Sequence, residues 1–417
     1  MNQTDQAIRG PAQGNPELRR SLTLVHALLY GLGITIGAGI YVLIGPVAAI
    51  AGMASPTSFV LAAALMSLSA LSFAELATRM PVAAGEAAYV AEGFRNKFLG
   101  TVIGLLVIAI AVTTSATISL GSAQYIRVFW DSPEGITAAL VVLAMGAIAA
   151  WGIVESITFA GLMTVIETGG LLMIAALGFL FAPGSLSRIP EALPAMGDIA
   201  AWQAVMSAGM LAVFAFIGFE GIVNIAEEIK SPERTLPRAL LLTLVVTTLV
   251  YVAVVWVALV TLGPVKLGAV EAPLAAVFVA LTGWPSTVMA AIAIIATLNG
   301  IIASIVLAAR VAYGLAGRGA LPAVLATVNP TTRTPLVATT LVTAAVLLLA
   351  IWAPLTGLAE LSSRLTLVMF TFVNAALVAI KLRETTPPGG IFLAPLWVPI
   401  AGTAATNIFL IADLHGP

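Results

Sequence analysis

Two glutamates lie inside apolar segments, where an ionised side chain is costly. Glu167 follows Leu-Met-Thr-Val-Ile (162–166), and Glu220 follows Phe-Ala-Phe-Ile-Gly-Phe (214–219). A carboxylate in such surroundings must be paired, protonated or bound to a cation. Because burial disfavours the charged form, Glu167 is a candidate coupling group that binds and releases a proton, and Glu220 is a candidate coupling or gating group.

Glu167 has two other interpretations. Its oxygens could bind sodium together with a hydroxyl such as that of Ser304, since hard cations prefer oxygen ligands. It could also be held in a static hydrogen bond to a serine or a backbone amide. We favour a proton over sodium and leave the static bond open.

Two groups of glycines fall near the middle of long apolar segments. One contains Gly37 and Gly39, and the other contains Gly218 and Gly221. Glycine weakens a helix by about 1 kcal/mol relative to alanine. Inside a membrane, free backbone groups are tolerated only where they line a cavity or meet a ligand. The pattern therefore predicts that both helices are broken, although small residues can also serve close helix packing.

Each break would leave the ends of two half-helices facing each other. Free amides at one end suit a carboxylate, and free carbonyls at the other suit an ammonium. A zwitterion fits between them. The predicted binding residues comprise both breaks and two polar residues of neighbouring segments, which could instead only bond between helices. They are Ile36, Gly37, Ala38, Gly39, Ile40, Phe214, Ala215, Phe216, Ile217, Gly218, Thr117 and Asn299.

The composition places the chain in a membrane. Of its 417 residues, 60% are hydrophobic and 9% are charged, whereas soluble domains carry about 25% charged residues. There is no cysteine, and the two histidines, His26 and His415, lie near opposite ends. These counts argue against an enzyme such as an intramembrane hydrolase, and against a metal or other cofactor. The net charge of −1 gives no reason to expect a nucleic-acid partner.

Apolar runs between charged or Pro/Gly-rich breaks predict eleven spans. The polar residues 1–20 are predicted to be a disordered cytosolic tail. With the N-terminus inside, 14 of the 18 basic residues fall on the inner side, as the positive-inside rule requires. The chain is thus predicted to be a multi-pass protein of the cell membrane with a cytoplasmic N-terminus. The predicted spans are 23–50, 56–79, 97–126, 136–154, 158–182, 202–226, 237–262, 284–316, 335–353, 358–381 and 391–412.

The spans divide into two halves of five. The glycine groups fall in the first and sixth spans, and the third and eighth spans are both unusually long. An odd number of spans per half inverts the second half relative to the first. The predicted fold is all-α, with a ten-helix core (21–382) of two inverted repeats (about 23–182 and 202–382) and an additional helix at 391–413. Interrupted helices at matching positions of inverted halves indicate a transporter's binding site at the membrane midplane.

Two further acidic residues receive simpler predictions. Glu75, near the inner end of the second span, is expected to be solvated, with a role in an inner gate as the alternative. Glu360 and Arg364 are four residues apart and should form an ion pair on one helix face.

Several motifs resemble those of the amino acid–polyamine–organocation superfamily of secondary transporters. They extend from the first span to about residue 322. They are Gly-Ile-Thr-Ile-Gly-Ala-Gly-Ile-Tyr-Val (33–42), Ser-Phe-Ala-Glu-Leu-Ala-Thr-Arg-Met-Pro (72–81), Phe-Ala-Phe-Ile-Gly-Phe-Glu (214–220), Ala-Glu-Glu-Ile-Lys-Ser-Pro-Glu-Arg-Thr-Leu-Pro-Arg-Ala (226–239) and Arg-Val-Ala-Tyr-Gly-Leu-Ala-Gly-Arg-Gly-Ala-Leu-Pro (310–322). Members of the superfamily usually have twelve spans.

The resemblance implies the inverted-repeat fold shared with the bacterial leucine transporter. It implies that the broken first and sixth helices bind the α-amino and carboxylate groups of a substrate. It places Phe214 as an aromatic lid, Phe216 and Ile217 in the side-chain pocket, and Glu220 near an outer gate. Many proton-coupled relatives carry a lysine where Glu167 aligns, so the sign of the charge is reversed here.

The expected function is secondary active transport of an amino acid, with membrane lipid as the surroundings. The apolar side chains of Phe214, Phe216 and Ile217 favour proton-coupled uptake of a neutral amino acid. Glu167 leaves open a cationic amino acid transporter or an amino acid/polyamine exchanger. A channel would show rings of like groups or a continuous polar pore, whereas this sequence shows one isolated site. Neither the particular amino acid nor an accessory subunit can be named from the sequence.

Overall fold

A computed structural model describes residues 22–37, 39–81, 85–152, 157–181, 186–386 and 388–414. The predicted tail (1–20) and Ala38 lie outside these residues. Apart from one isolated bridge between Leu22 and Ile229, the described chain forms helices and loops. The α-helices are α1 (Leu24–Ile36), α2 (Gly39–Ala51), α3 (Ser55–Arg79), α4 (Gly85–Phe94), α5 (Lys97–Ile126), α6 (Glu134–Trp151), α7 (Ile157–Phe181), α8 (Ile199–Phe216), α9 (Pro232–Leu262), α10 (Pro264–Ala269), α11 (Pro273–Thr282), α12 (Thr287–Gly317), α13 (Leu336–Trp352), α14 (Leu355–Arg383) and α15 (Trp397–Leu414).

The helices form a multi-pass membrane protein. Each of the eleven predicted spans coincides with one helix or a pair of half-helices. Among the described residues, eight helical segments are long and apolar enough to cross a membrane, with Gly39–Arg79 counted as one of them. Large apolar side chains cover the outside, and Phe98, Trp151 and Leu249 are 75%, 75% and 66% exposed. Such a surface is suited to lipid and unsuited to water.

Both predicted helix breaks are present. The first span is divided between α1, which ends at Ile36, and α2, which begins at Gly39. In the sixth span, α8 ends at Phe216, Ile217 is extended, and Gly218 has φ +122°, a conformation that favours glycine. The chain continues as a 3₁₀ helix, Phe219–Glu228, which we call the 3₁₀ segment.

Corresponding spans of the two halves pack on each other. The second span (α3) packs on the seventh (α9), the third (α5) on the eighth (α12), and the fourth (α6) on the ninth (α13). The first and sixth spans meet half to half, α2 with α8 and α1 with the 3₁₀ segment. A pseudo-two-fold axis between two inverted repeats would produce this pairing. The long third and eighth spans have 30 and 31 residues.

The last helix begins later than predicted, at Trp397 instead of residue 391. The preceding loop contains Gly390, with φ +82°, and Pro395, and both residue types disfavour a helix interior. α15 packs on α14, α3 and α8, so it covers one side of the ten-helix core.

Candidate functional site

The two breaks touch each other through their backbones. A Cβ atom built on Gly39 would lie 2.4 Å from the Cα atom of Ala215. One built on Gly218 would lie 2.6 Å from Cγ2 of Ile34 and 2.8 Å from its carbonyl oxygen. Only glycine allows these approaches, so the close-packing interpretation of the glycines holds at both breaks. Close packing is compatible with a binding site, because the same contacts bring the interrupted segments together.

Glu167 on α7 lies against the break in the first span. Its side chain is fully buried. A Cβ atom on Gly33 would lie 3.5 Å from its Oε1, and one on Gly37 would lie 3.6 Å from its Oε2. Thr164, one turn earlier on α7, also faces Gly33 and donates a hydrogen bond to the carbonyl of Leu29 (3.2 Å). Gly33 and Gly37 therefore leave room for the face of α7 that carries the side-chain oxygens of Thr164 and Glu167.

Tyrosine hydroxyls bind the backbone carbonyls around the breaks. The hydroxyl of Tyr251 on α9 lies 2.8 Å from the carbonyl oxygen of Thr35 and 2.9 Å from that of Ala215. It therefore joins one half of each broken span. Tyr41 donates to the carbonyl of Glu167 (2.7 Å), and Tyr125 donates to the carbonyl of Tyr41 (2.8 Å).

Aromatic rings surround the Tyr251 hydroxyl. Phe216 lies 5.3 Å from Tyr251 between ring centroids, and Phe59 lies 5.8 Å from it. Phe214 and Phe216 are 2% and 0% exposed. The predicted apolar character of this side of the site is therefore observed, although Phe216 is packed within an aromatic cluster. Ile217 is half-buried.

Three polar residues were also predicted for the site, namely Thr117, Asn299 and Ser304. The contacts described at the breaks come from other side chains. The Thr117 hydroxyl donates to the carbonyl of Thr113 in its own helix (2.9 Å). Asn299 and Ser304 on α12 are only half-buried. On α12, the carbonyl oxygen of Ala296 lies next to the first break. It would be 3.6 Å from a Cβ atom built on Gly37. The described polar side chains that meet the breaks include those of Thr164, Glu167, Tyr251 and Glu220.

Comparison with known proteins identifies the chain's family. Residues 22–417 match the family model described as amino acid permease. The chain belongs to the amino acid permeases.

Proteins from two bacteria and a plant resemble this permease along most of its length. An uncharacterized transporter of Mycobacterium tuberculosis is 32% identical over 89% of this chain and 82% of its own. A branched-chain amino acid permease of Bacillus subtilis is 27% identical over 98% and 91% of the two chains. A vacuolar cationic amino acid transporter of Arabidopsis thaliana is 28% identical over 95% and 69%.

Glu220 is bound to the backbone of its own span. It follows the break in the sixth span, and its Oε2 accepts the amide of Gly218 (3.0 Å). The 3₁₀ segment that carries it packs on α1 and ends at Ile229, which pairs with Leu22 just before α1. It therefore lies toward the end of the molecule that the basic residues predict to be inner. The role of Glu220 near an outer gate, which the resemblance implies, stays a prediction.

Glu75 is not solvated, contrary to the prediction from the sequence. It is fully buried, and its Oε1 lies 2.6 Å from Nη2 of Arg79 and 2.8 Å from Nζ of Lys381. Its Oε2 accepts the amide of Ala394 (2.7 Å), and Arg79 also pairs with Glu384. These contacts join α3, α14 and the loop before α15, and we call them the Glu75 network.

We expect Tyr251→Phe to weaken substrate binding and to destabilise the permease by about 1–3 kcal/mol, because two buried carbonyls lose their donor. The ring contacts with Phe59 and Phe216 would remain. Thermal unfolding with and without substrate measures both effects. Tyr313→Phe is the control, because Tyr313 is 40% exposed on α12. Equal behaviour of the two variants would show that the Tyr251 hydroxyl does not hold the breaks together.

Proposed function

We propose that this permease is a secondary active transporter that takes up a neutral amino acid together with protons, and that Glu167 carries the coupling proton. The observation that supports this most directly is the position of the Glu167 carboxylate against Gly33 and Gly37. A change in the charge of Glu167 would act directly on the broken segment that is proposed to bind substrate.

The two breaks are proposed to bind the backbone groups of the substrate. The first amides of α2, beginning at Gly39, have no acceptor within their own helix and suit the substrate's carboxylate. The carbonyl of Ala215 is bound to Tyr251, so the ammonium would share or replace that hydrogen bond. Binding of the substrate would then change a hydrogen bond of Tyr251 and so affect α9.

A neutral side chain fits the surroundings best. Phe59, Phe214 and Phe216 form an aromatic lining beside the breaks, and burial of apolar area favours an aliphatic or aromatic substrate. The relative from Bacillus subtilis is named for branched-chain amino acids. The second candidate is a cationic amino acid, favoured by the buried carboxylate of Glu167 and by the names of relatives such as the one from Arabidopsis thaliana.

The proposed location is the cell membrane, either a plasma membrane or a bacterial inner membrane, with the N-terminus in the cytoplasm. Arg79, Lys381 and Arg383 lie at one end of α3 and α14, as expected for the cytoplasmic side. Leu22, just before α1, pairs with Ile229 and Glu228, next to Lys230 and Arg234, which the same rule places on the cytoplasmic side.

Uptake into proteoliposomes distinguishes the candidates. A thermal-shift screen of amino acids with purified protein would first find the ligands, and uptake would then be measured with an imposed pH or sodium gradient. Accumulation of a branched-chain amino acid with an acidic exterior supports the proposal. Accumulation that requires sodium, or that occurs only for arginine or lysine, would replace it with the corresponding alternative.

We expect Glu167→Gln to abolish accumulation driven by a pH gradient while leaving exchange of substrate across the membrane intact. With one proton per substrate, one pH unit sustains about tenfold accumulation, and the variant should reach about onefold. Glutamine keeps the size of the side chain but cannot carry the proton.

Counterflow of labelled substrate in the same vesicles is the internal control, because it needs binding and conformational change without net proton movement. Loss of both activities would mean that Glu167 serves only to hold the first span. Undiminished accumulation would remove Glu167 from the coupling mechanism.

A further inference from the structure

A second pair of buried acids lies beyond the breaks, away from Glu167. Glu86 is in the first turn of α4 and is 5% exposed, and Glu220 in the 3₁₀ segment is 8% exposed. The Phe73 ring contacts both Tyr89, three residues after Glu86, and Phe219, the residue before Glu220, so the elements that carry the two acids meet at the same aromatic side chain. The two acids come from separate elements, so a change in their charge acts between α4 and the sixth span.

Aromatic rings close off this region. Phe73 on α3 contacts Tyr89 on α4, Phe219 in the 3₁₀ segment and Phe370 on α14, with centroids 6.3, 6.2 and 5.3 Å apart. All four side chains are fully buried. The acids therefore lie beside an apolar plug, which limits their access to water.

The hydroxyl of Tyr89 is an additional polar group at this place. It is buried and has no hydrogen-bond partner among the described residues. It lies 2.4 Å from the position of a Cβ atom on Gly85, next to Glu86, and it interacts electrostatically with Glu86. A buried hydroxyl is costly without a partner, and a carboxyl group that changes protonation offers both a donor and an acceptor.

The basic side chains of the surrounding elements are bound elsewhere or exposed. Arg79 of α3 and Lys381 of α14 belong to the Glu75 network, and Arg383 donates to the carbonyl of Glu92 (3.2 Å). Other titratable groups of these elements include His26 of α1, which contacts Thr23, Tyr30 of α1, Glu228 at the end of the 3₁₀ segment, Tyr251 of α9, which binds two carbonyls, and the exposed Lys97, Arg234 and Arg238 of α5 and α9. Among the described residues, the charged group that acts on Glu220 is Glu86.

Two neighbouring carboxylates in an apolar site resist being ionised together. Two contacts stabilise the charge of Glu220, namely the amide of its own residue and the amide of Gly218. Glu86 has the amide of its own residue, and burial raises the pKa of Glu86 from 4.5 to about 7.

We propose that Glu86 and Glu220 form a second proton site, which holds a shared proton while the aromatic plug is closed and releases it to water when the plug opens. The proton leaves one carboxyl group for solvent, and the two carboxylates that remain repel each other. Repulsion would separate α4 from the 3₁₀ segment, so the open state would be favoured as the pH on that side rises. The existence of this site does not depend on the transport function proposed above, but its role in gating does.

Infrared difference spectroscopy of the purified full-length protein tests the site directly. In the wild type, we expect the C=O band of a protonated carboxyl group to disappear between about pH 5 and about pH 8.5, where an ordinary glutamate is already ionised. The midpoint should lie near 7. Glu86→Gln and Glu220→Gln should each shift this transition to lower pH, because each variant removes the neighbouring charge.

Glu92→Gln is the matched control, because Glu92 lies on the same helix and is exposed, so the transition should remain unchanged. Glu167→Gln removes the signal of the proposed coupling group, so the transition that remains in this variant belongs to Glu86 and Glu220, which separates this proposal from the one on coupling. A wild-type protein without such a transition, or a transition that persists unaltered in both the Glu86 and Glu220 variants, would overturn the proposal.

Discussion

Gly39→Ala is expected to reduce transport to less than about a tenth of the wild-type rate and to destabilise the fold by about 3 kcal/mol. The added methyl group would lie 2.4 Å from Cα and 3.0 Å from Cβ of Ala215. The Cα and Cβ atoms of Ala215 are fixed by the backbone of α8, so they cannot move aside by a change of rotamer. Relief of the contact would have to separate the two broken spans, which together form the proposed site. Proteoliposome uptake and thermal unfolding measure the two effects.

Gly169→Ala provides the matched control. Gly169 is also a glycine within a membrane helix, but it is exposed, and a Cβ atom there would meet nothing within 4 Å. Alanine should therefore be neutral or stabilise α7 by up to about 1 kcal/mol. If Gly39→Ala behaved like this control, the close contact between α2 and α8 would not be needed for transport.

The helix breaks could be predicted from the sequence because their cause is local. Glycine at mid-membrane weakens a helix whatever its neighbours are, and the observed backbone of Gly218 requires a residue without a side chain. The position of Glu167 could also be anticipated, because an acid in an apolar helix needs a polar neighbour. What the sequence could not show is that Gly33 and Gly37 provide the space for it.

Tyr251 was missed because nothing in its own segment marks it. It lies in an apolar helix where a tyrosine would ordinarily suit packing, and its hydroxyl meets Thr35, 216 residues away in sequence, and Ala215. A different search could have found it, since a buried tyrosine hydroxyl needs a partner and broken helices leave carbonyls that need donors.

Glu75 shows a related limit of sequence analysis. Its contact with Arg79 four residues later is typical of a solvated helix end, and that contact was predictable. Its burial depends on Lys381 and on the amide of Ala394, which belong to α14 and to the loop after it. These elements come more than 300 residues later, so the pattern around Glu75 alone contains no sign of them.

Glu75→Gln is expected to destabilise the permease by about 3 kcal/mol, because removal of one partner leaves buried charges uncompensated. Arg79 would keep Glu384, whereas Lys381 would lose the only ion pair described for it. Glutamine retains the volume and can still accept the amide of Ala394. We expect the midpoint of thermal unfolding to fall by roughly 3–6 °C.

The Glu360→Gln variant isolates the effect of burial. Glu360 also pairs with an arginine four residues away, Arg364 (3.2 Å), and that arginine also keeps a second acid, Asp413 (2.6 Å). The side chains of Glu360 and Arg364 are 35% and 41% exposed, so the loss should be less than about 1 kcal/mol. Because both variants remove one acid from an arginine that retains another, their difference measures what the buried contacts of Glu75 with Lys381 and Ala394 contribute. Equal shifts in the two variants would mean that the Glu75 network does not hold α14 and the following loop against α3.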